Sequence, residues 1–211
     1  AAPLRGIRVV EFTHMVMGPT AGVILGDLGA DVIKVEPLKG DNTRRLKGSG
    51  AGYFPMYNRN KRSIALDLKN PKGRDVALQL IQSADIVLEN FRTGTMANLG
   101  LDYDSLKATH PSLIYCSLKG FLSGPYENRV ALDEVTQMMG GLAYMTGLPE
   151  RPLRAGSSVI DITGGMFGVI AILSALHRRR ETGEGSHVTS ALFETTAFLV
   201  GQHMAQQAVS G

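Results

Sequence analysis

Short apolar runs alternate with segments of helical spacing along the chain. Residues 7–12 form a β-branched run, residues 20–28 carry the apolar spacing of a helix that Gly29 closes, and residues 30–36 form a second apolar run. The order strand, helix, strand predicts a βαβ unit. Because the helix carries the chain back along the sheet, the two strands are predicted to be parallel.

The same alternation continues toward the end of the chain. It predicts further strands at 63–68, 86–89, 113–117 and 187–190, and helices at 71–83, 95–99, 103–109, 134–145, 164–180 and 195–209. Polar and glycine-containing stretches at 37–60 and 120–132 predict irregular loops. The chain is therefore predicted to be an α/β protein with a Rossmann-like open parallel sheet and helices on both faces.

Composition narrows the class of protein. The chain has 25 glycines among 211 residues. This share of about 12% is above the usual share of about 7% and indicates tight turns and close backbone contacts. A single cysteine, Cys116, excludes an internal disulfide framework and a cysteine-rich metal site. We therefore expect a reducing compartment: the cytoplasm, or the mitochondrial matrix or peroxisome in a eukaryote.

Charge and hydropathy limit the partners that we expect. A formal net charge of +3 is too small to indicate nucleic acid. The apolar tract at 166–176 is shorter than the ~20 residues that cross a bilayer, and the first residues do not have the pattern of a signal peptide. We expect a protein with neither a nucleic-acid nor a membrane partner.

Basic side chains recur where the predicted strands end, which is where open parallel sheets bind ligands. Each could be a solvated surface charge, but together they indicate an anionic, phosphate-bearing ligand. They are Lys39, Arg44, Arg45, Lys61, Arg62, Lys69, Arg92 and Arg129. The turn at 13–19 does not match the glycine pattern of a dinucleotide site, and Pro19 lacks an amide for phosphate.

Two side chains are candidates for chemistry. Asp161 lies in an apolar, glycine-rich segment at the start of a predicted helix. One interpretation is a helix N-cap; the other is a carboxylate that the helix N-terminus keeps ionised and that attacks an activated acyl group. His14, in the loop after the first strand, is either a base or a structural loop histidine.

Several segments, in order, resemble the class III CoA-transferase family, which includes formyl-CoA transferases and α-methylacyl-CoA racemases. The matching segments are 6–14, 26–37, 60–69, 84–92 and 180–185. The resemblance implies that residues 1–190 are a CoA-binding large domain. It also implies that residues 191–211 are a helix leading towards a small second domain that is absent from this chain. Members of the family form interlocked homodimers, so we expect a homodimer.

The resemblance also implies a reaction. CoA moves from an acyl-CoA thioester to a free carboxylic acid, a small or dicarboxylic one, through aspartyl anhydride and aspartyl-CoA thioester intermediates. Asp161 falls on the nucleophile, coenzyme A enters as part of the acyl-CoA substrate, and neither a metal nor a redox cofactor is expected. The implied CoA-binding residues are Val16, Met17, Leu66, Lys69, Asn90, Phe91, Arg92 and Arg129, and the implied substrate-pocket residues are Tyr53 and Asp133.

Departures from the family pattern keep alternatives open. Pro37 and Asn98 stand where formyl-CoA transferases have arginines, and Val16 replaces a glutamine, which argues against oxalate as acceptor. The racemase branch pairs its aspartate with a histidine, and residues 129–135 contain none. An acyl-CoA racemase or epimerase therefore stays the second hypothesis, and a CoA-binding fragment without independent activity is the third.

Overall fold

The predicted parallel sheet is present in the computed structural model, which describes residues 2–211. Its six strands are all parallel and lie in the order β3-β2-β1-β4-β5-β6. They are β1 (Arg8–Phe12), β2 (Asp31–Glu36), β3 (Lys61–Ala65), β4 (Ile86–Glu89), β5 (Ile114–Lys119) and β6 (Ser186–Ala191). The α/β class and the Rossmann-like sheet are confirmed, because this is the strand order of a doubly wound fold.

Helices cover both faces of the sheet. They are α1 (Met17–Asp27), α2 (Tyr53–Tyr57), α3 (Pro71–Gln82), α4 (Thr95–Asn98), α5 (Tyr103–Leu106), α6 (Asp133–Met139), α7 (Leu142–Thr146), α8 (Val159–Thr182) and α9 (Leu192–Ser210). On one face, α1 and α8 pack over apolar side chains of the central strands. On the other, α3, α4 and α5 pack over the alternate side chains of the same strands. The two buried layers follow from the period of two along each strand.

Three helices begin three or more residues earlier than the sequence pattern predicts: α1, α8 and α9, of which α9 begins at Leu192 instead of residue 195. Helix α1 begins at Met17 instead of residue 20, because Pro19 falls in the first turn, where no backbone donor is needed. Helix α8 begins at Val159 instead of residue 164. Asp161 therefore lies inside the first turn of α8, and Ser158 occupies the N-cap position. The N-cap interpretation of Asp161 is wrong.

Glycine and local turns account for two further differences. The helix predicted at 134–145 is divided into α6 and α7, because Gly141 has a φ of +89° that a continuous helix does not allow. The segment predicted as an irregular loop at 37–60 contains 3-10 turns at Asn42–Arg45 and Gly48–Gly50 as well as α2. Strand β3 begins two residues earlier than predicted and ends at Ala65.

A buried ionic cluster joins the first three strands to α1. Lys34 lies 3.1 Å from the Asp41 carboxylate and 3.6 Å from that of Glu11, while Lys61 lies 2.9 Å from Glu11. All four side chains are at most 3% exposed. The Lys34 ammonium also donates to the carbonyl of Thr13 at 2.7 Å. Two cations and two anions balance, so the cluster fixes the loop after β1 without leaving a buried charge unpaired.

Helix α8 is the central helix of the core on its face of the sheet. Its length and mean hydropathy would suffice for a membrane span. It packs, however, against α1, β5 and β6, and Val169, Ile172 and Leu176 are buried there. This packing explains the apolar residues on the buried face of α8, whereas Met166, Ile170 and Leu173 on the same helix are exposed.

The buried ionic cluster leaves no room for a side chain at position 22. A Cβ at this position would meet the Glu11 carboxylate and lie 2.8 Å from the Lys61 ammonium. We expect Gly22→Ala to lower the free energy of unfolding by about 2 to 4 kcal/mol, because overpacking would separate a buried ion pair. Urea unfolding followed by circular dichroism measures the change.

Gly201→Ala is the matched control for this prediction. A Cβ at Gly201, within α9, would meet no atom within 4 Å. This variant should be as stable as the natural chain or more stable by up to about 1 kcal/mol, since alanine is the better helix former. Equal stability of the two variants would contradict the packing demand at Gly22.

Candidate active site

The loops after β1 and β4 meet at the point where the strand order reverses. These two strands are neighbours in the centre of the sheet, but their following connections run to opposite sides. The Asn90 amide joins the loops: its oxygen accepts from the His14 backbone N–H at 2.9 Å and its nitrogen donates to the His14 carbonyl at 2.8 Å. Met15 follows with a left-handed φ of +62°. Open α/β sheets bind ligands at this crevice.

A cavity of about 280 Å³ opens at this crevice. It brings together six of the residues that the family resemblance implies. They are Val16, Met17, Tyr53, Asn90, Asp133 and Asp161. His14 also lines the cavity, and burial lowers its pKa, with the nearby Asp41 carboxylate opposing and the Lys34 ammonium reinforcing the shift. The imidazole is therefore neutral near pH 7.

A second cavity, of about 670 Å³, lies beyond the ends of β2 and β3. Leu66, Lys69 and Phe91 line it, as the resemblance implies for the CoA-binding residues. Pro37 and Asn98, the two departures from the arginines of formyl-CoA transferases, lie in its wall as well. Its lining is mostly apolar, with the Lys69 and Lys39 side chains as cations and the Glu36 and Asp67 side chains as anions.

Two of the implied CoA-binding residues lie outside both cavities in the described chain. Arg92 lines a smaller cavity of about 140 Å³ together with Glu89, Tyr115 and His187. The guanidinium of Arg129 lies over the ring of Tyr126, 4.4 Å from its centre. Neither arrangement tests a contact with CoA, and neither does the lining of the two larger cavities, so all eight implied CoA-binding residues stay predictions.

Glycines on α8 set the position of Asp161. A Cβ at Gly165 would lie 2.7 Å from the carbonyl oxygen of Met17, and one at Gly164 would lie 2.8 Å from the Met17 methyl carbon. Only residues without a Cβ allow the first two turns of α8 to contact the beginning of α1 so closely. Asp161, one turn before these glycines, is thereby held against the loop that follows β1.

Asp133 supplies the cap that α8 needs. One of its carboxylate oxygens accepts hydrogen bonds from the backbone N–H groups of Ile160 at 2.7 Å and Asp161 at 3.0 Å. The other accepts from the side-chain amide of Gln137. Asp133 is 3% exposed and lines the same cavity as Asp161. It therefore positions the helix end that carries Asp161, a role that spacing along the sequence did not indicate.

The pKa of Asp161 is raised to about 7. Burial is the largest cause, the carboxylates of Asp133 and Glu134 add to it, and the Arg154 guanidinium opposes it. The first turn of a helix favours the ionised form, so the helix and the burial act in opposite directions. A carboxyl group of this kind is partly ionised near neutral pH and reacts as a nucleophile in that form.

Several residues that line the cavity of Asp161 are not among the site residues predicted from the sequence. Lys119, at the end of β5, could have been found from the strand-end rule, since the predicted strand stopped at residue 117. Arg154 lies in a stretch without periodicity, and it reaches the cavity because the amide of Ala155 is held by the Gln137 side chain at 2.7 Å. Among residues 2–211, no group of three or more His, Cys, Asp or Glu is arranged to hold a metal ion.

Comparison with known proteins identifies the family. A family model described as CoA-transferase family III matches residues 4–211. The chain belongs to CoA-transferase family III. A succinate–glutarate CoA-transferase of Agrobacterium fabrum is 43% identical over 96% of this chain and 54% of its own length. A formyl-CoA:oxalate CoA-transferase of Bradyrhizobium is 42% identical over 90% of this chain and 46% of its own.

A solved structure of the same family confirms the fold. A CaiB/BaiF family protein from Brucella suis superposes with a TM-score of 0.93 at 43% identity, over the whole of this chain and 58% of its own. The chain spans about half the length of the curated relatives it matches. Membership of CoA-transferase family III confirms the resemblance stated from the sequence segments.

The raised pKa of Asp161 predicts a pH-dependent stability. Its pKa is about 7 in the folded chain against an ordinary 3.8, so between these values the folded state holds a proton that the unfolded state releases. The free energy of unfolding therefore falls as the pH rises from 4 to 7. We expect Asp161→Asn, which keeps the site neutral, to gain about 2 to 4 kcal/mol over the natural chain at pH 8 and almost nothing at pH 4.

Denaturant unfolding at pH 4, 6 and 8 measures this difference. Asp75→Asn, at an exposed position of α3, is the control, and its effect should not vary with pH. A stability difference between Asp161→Asn and the natural chain that stays constant from pH 4 to pH 8 would show that the Asp161 carboxyl titrates normally.

Proposed function

We propose that the protein transfers CoA from an acyl-CoA thioester to a small carboxylic acid, with Asp161 as the nucleophile. The observation that carries the proposal is the partly buried carboxyl group of Asp161 in a cavity at the switch point of the sheet. The relatives named as succinate–glutarate and formyl-CoA:oxalate CoA-transferases support the class of reaction. Because the chain spans about half their length, the experiments below use the complete natural protein.

The reaction proceeds in four balanced steps. The Asp161 carboxylate attacks the thioester carbon, the C–S bond breaks, and an aspartyl anhydride and CoA thiolate form. The thiolate attacks the aspartyl carbonyl, releasing the donor acid and leaving an aspartyl-CoA thioester. The acceptor carboxylate attacks this thioester to give a second anhydride and thiolate. The thiolate then takes the acceptor acyl group, which regenerates Asp161.

Contacts of particular groups support parts of this proposed reaction. Asp133 accepts hydrogen bonds from the backbone N–H groups of Ile160 and Asp161. These bonds fix the backbone that carries the attacking carboxylate. The larger cavity, with Lys69 in its wall, is suited to the nucleotide end of CoA. Asn90 and Phe91 line the two cavities in turn, and they support a path for the extended cofactor between them.

An acyl-CoA racemase or epimerase is the second candidate. One observation favours it: His14, neutral near pH 7, lines the cavity of Asp161 and could act as the base. Deuterium from the solvent would then appear at the α-carbon of an acyl-CoA without any acceptor acid, which transfer alone does not produce. The homodimer and the cytoplasmic location stay predictions.

The nucleophile is tested by trapping. Incubation with an acyl-CoA and hydroxylamine should convert Asp161 to a hydroxamate that peptide mass spectrometry detects, because hydroxylamine cleaves anhydrides and thioesters but not a free carboxylate. Asp161→Asn should lower transfer by more than about a thousandfold, since the covalent route is lost. Asp75→Asn should transfer normally. Transfer by Asp161→Asn at the natural rate would overturn the mechanism.

The larger cavity is tested at Lys69. We expect Lys69→Met to raise the KM for the acyl-CoA about tenfold, because a charge-assisted contact to phosphate contributes about 1.5 kcal/mol. The KM for the acceptor acid should stay unchanged. Lys72→Met, on the exposed side of α3 and outside the described cavities, is the matched control. A Lys69 variant that weakens both substrates equally would contradict this placement.

A further inference from the structure

The carboxyl groups that line the cavity beside Asp161 would repel an acid that accepts CoA. The wall of this cavity carries the carboxyl groups of Asp133, Glu134 and Asp161. A carboxylic acid enters as an anion near neutral pH and is repelled by neighbouring carboxylates. Binding therefore requires a cation in the same wall, and Lys119 and Arg154 supply the candidates.

Lys119 is already committed to other groups. Its ammonium lies 2.8 Å from the Glu89 carboxylate and donates to the carbonyl of Phe91 at 2.7 Å. These contacts hold it at the ends of β4 and β5 and neutralise its charge. An incoming carboxylate would have to compete with a nearly buried partner, since the Glu89 side chain is 2% exposed.

Arg154 retains most of its hydrogen-bonding capacity. Its Nε donates to the carbonyl of Ala155 at 3.0 Å. Among the described residues, the carboxylate within 4 Å of it is Glu134, at 3.8 Å, and both side chains are more than 40% exposed. A pair at this distance and exposure is weak. The guanidinium thus has donors left over for a ligand, in the planar arrangement that matches a carboxylate.

We propose that Arg154 binds the second carboxylate of a short dicarboxylic acid acceptor whose first carboxylate reacts at Asp161. The inference rests on the proposed transferase function and names the acceptor class. Leu118, Ala131 and Leu132 form an apolar wall in the same cavity, and they would contact the methylene groups between the two carboxylates. A monocarboxylic acid of equal length would make these apolar contacts but leave Arg154 unused.

Glutarate and valerate, which have the same number of carbons, are the paired acceptors for the test. With Arg154→Met, we expect the KM for glutarate to rise about 10- to 100-fold, the range for losing a hydrogen-bonded charge contact. The KM for valerate should change less than about twofold, and any change in kcat that follows from the pKa of Asp161 should be the same for both acids. Arg154→Lys, which keeps the charge but loses the planar fork, should lie between the two.

Arg151→Met is the matched control, because Arg151 lies on the same segment, is exposed and is outside this cavity. It should leave both KM values unchanged, which excludes a general effect of charge. Equal urea midpoints of the variants exclude misfolding. An equal rise in the KM for glutarate and for valerate with Arg154→Met would overturn the inference, because it would mean that Arg154 does not distinguish the second carboxylate. No change for either acid would overturn it as well.

A binding measurement separates this inference from the proposed function. Isothermal titration of glutarate and valerate into the complete protein needs no turnover. The natural protein should bind glutarate more tightly, and Arg154→Met should remove that preference. If the natural protein shows no preference for glutarate, the inference fails even where CoA transfer is observed. If the preference is present but no transfer occurs, the proposed function fails and the carboxylate site stands.

Discussion

The contact between α8 and its neighbours is the constraint on which the site depends. At Gly165 and Gly168, an added Cβ would lie 2.7 Å from the Met17 carbonyl oxygen and from a methyl carbon of Leu118, respectively. The helix therefore lies at a separation that side chains would prevent. Because Asp161 is one turn before Gly165 and two turns before Gly168, the same contact decides its depth in the crevice, and this contact accounts for glycines near the site.

Burial of the Asp161 carboxyl group in the crevice disfavours its ionised form, and neighbouring charged groups add to this effect or oppose it. The first N–H groups of α8 have no acceptor within the helix. One carboxylate oxygen of Asp133 accepts from those of both Ile160 and Asp161. The same carboxylate adds to the burial that raises the pKa of Asp161. Capping the helix and ionising Asp161 are therefore in conflict, and Arg154, whose charge lowers that pKa, partly compensates.

Local patterns and distant contacts explain which features could be predicted from the sequence. Strand and helix alternation is local, so the sheet and most helices were predicted correctly, and the glycines beside Asp161 marked the segment that enters the crevice. The capping by Asp133 connects positions 27 and 28 residues apart, and no spacing rule indicates it. Arg154 reaches the cavity through a bond between Ala155 and Gln137, which depends on α6 lying beside the segment that precedes α8.

Two consecutive residues after β4, Asn90 and Phe91, face different cavities. Asn90 faces the small cavity and clamps the loop of His14, while Phe91, the next residue, faces the large one. Under the proposed function, an extended ligand with a nucleotide at one end and a thioester at the other would cross this loop. The Glu89 carboxylate accepts from the Phe91 N–H at 3.0 Å and pairs with Lys119, so the crossing point is fixed from below by buried charges. In the proposed reaction, a fixed loop at this point would hold the thioester at the depth of Asp161, because the loop lies between the two cavities.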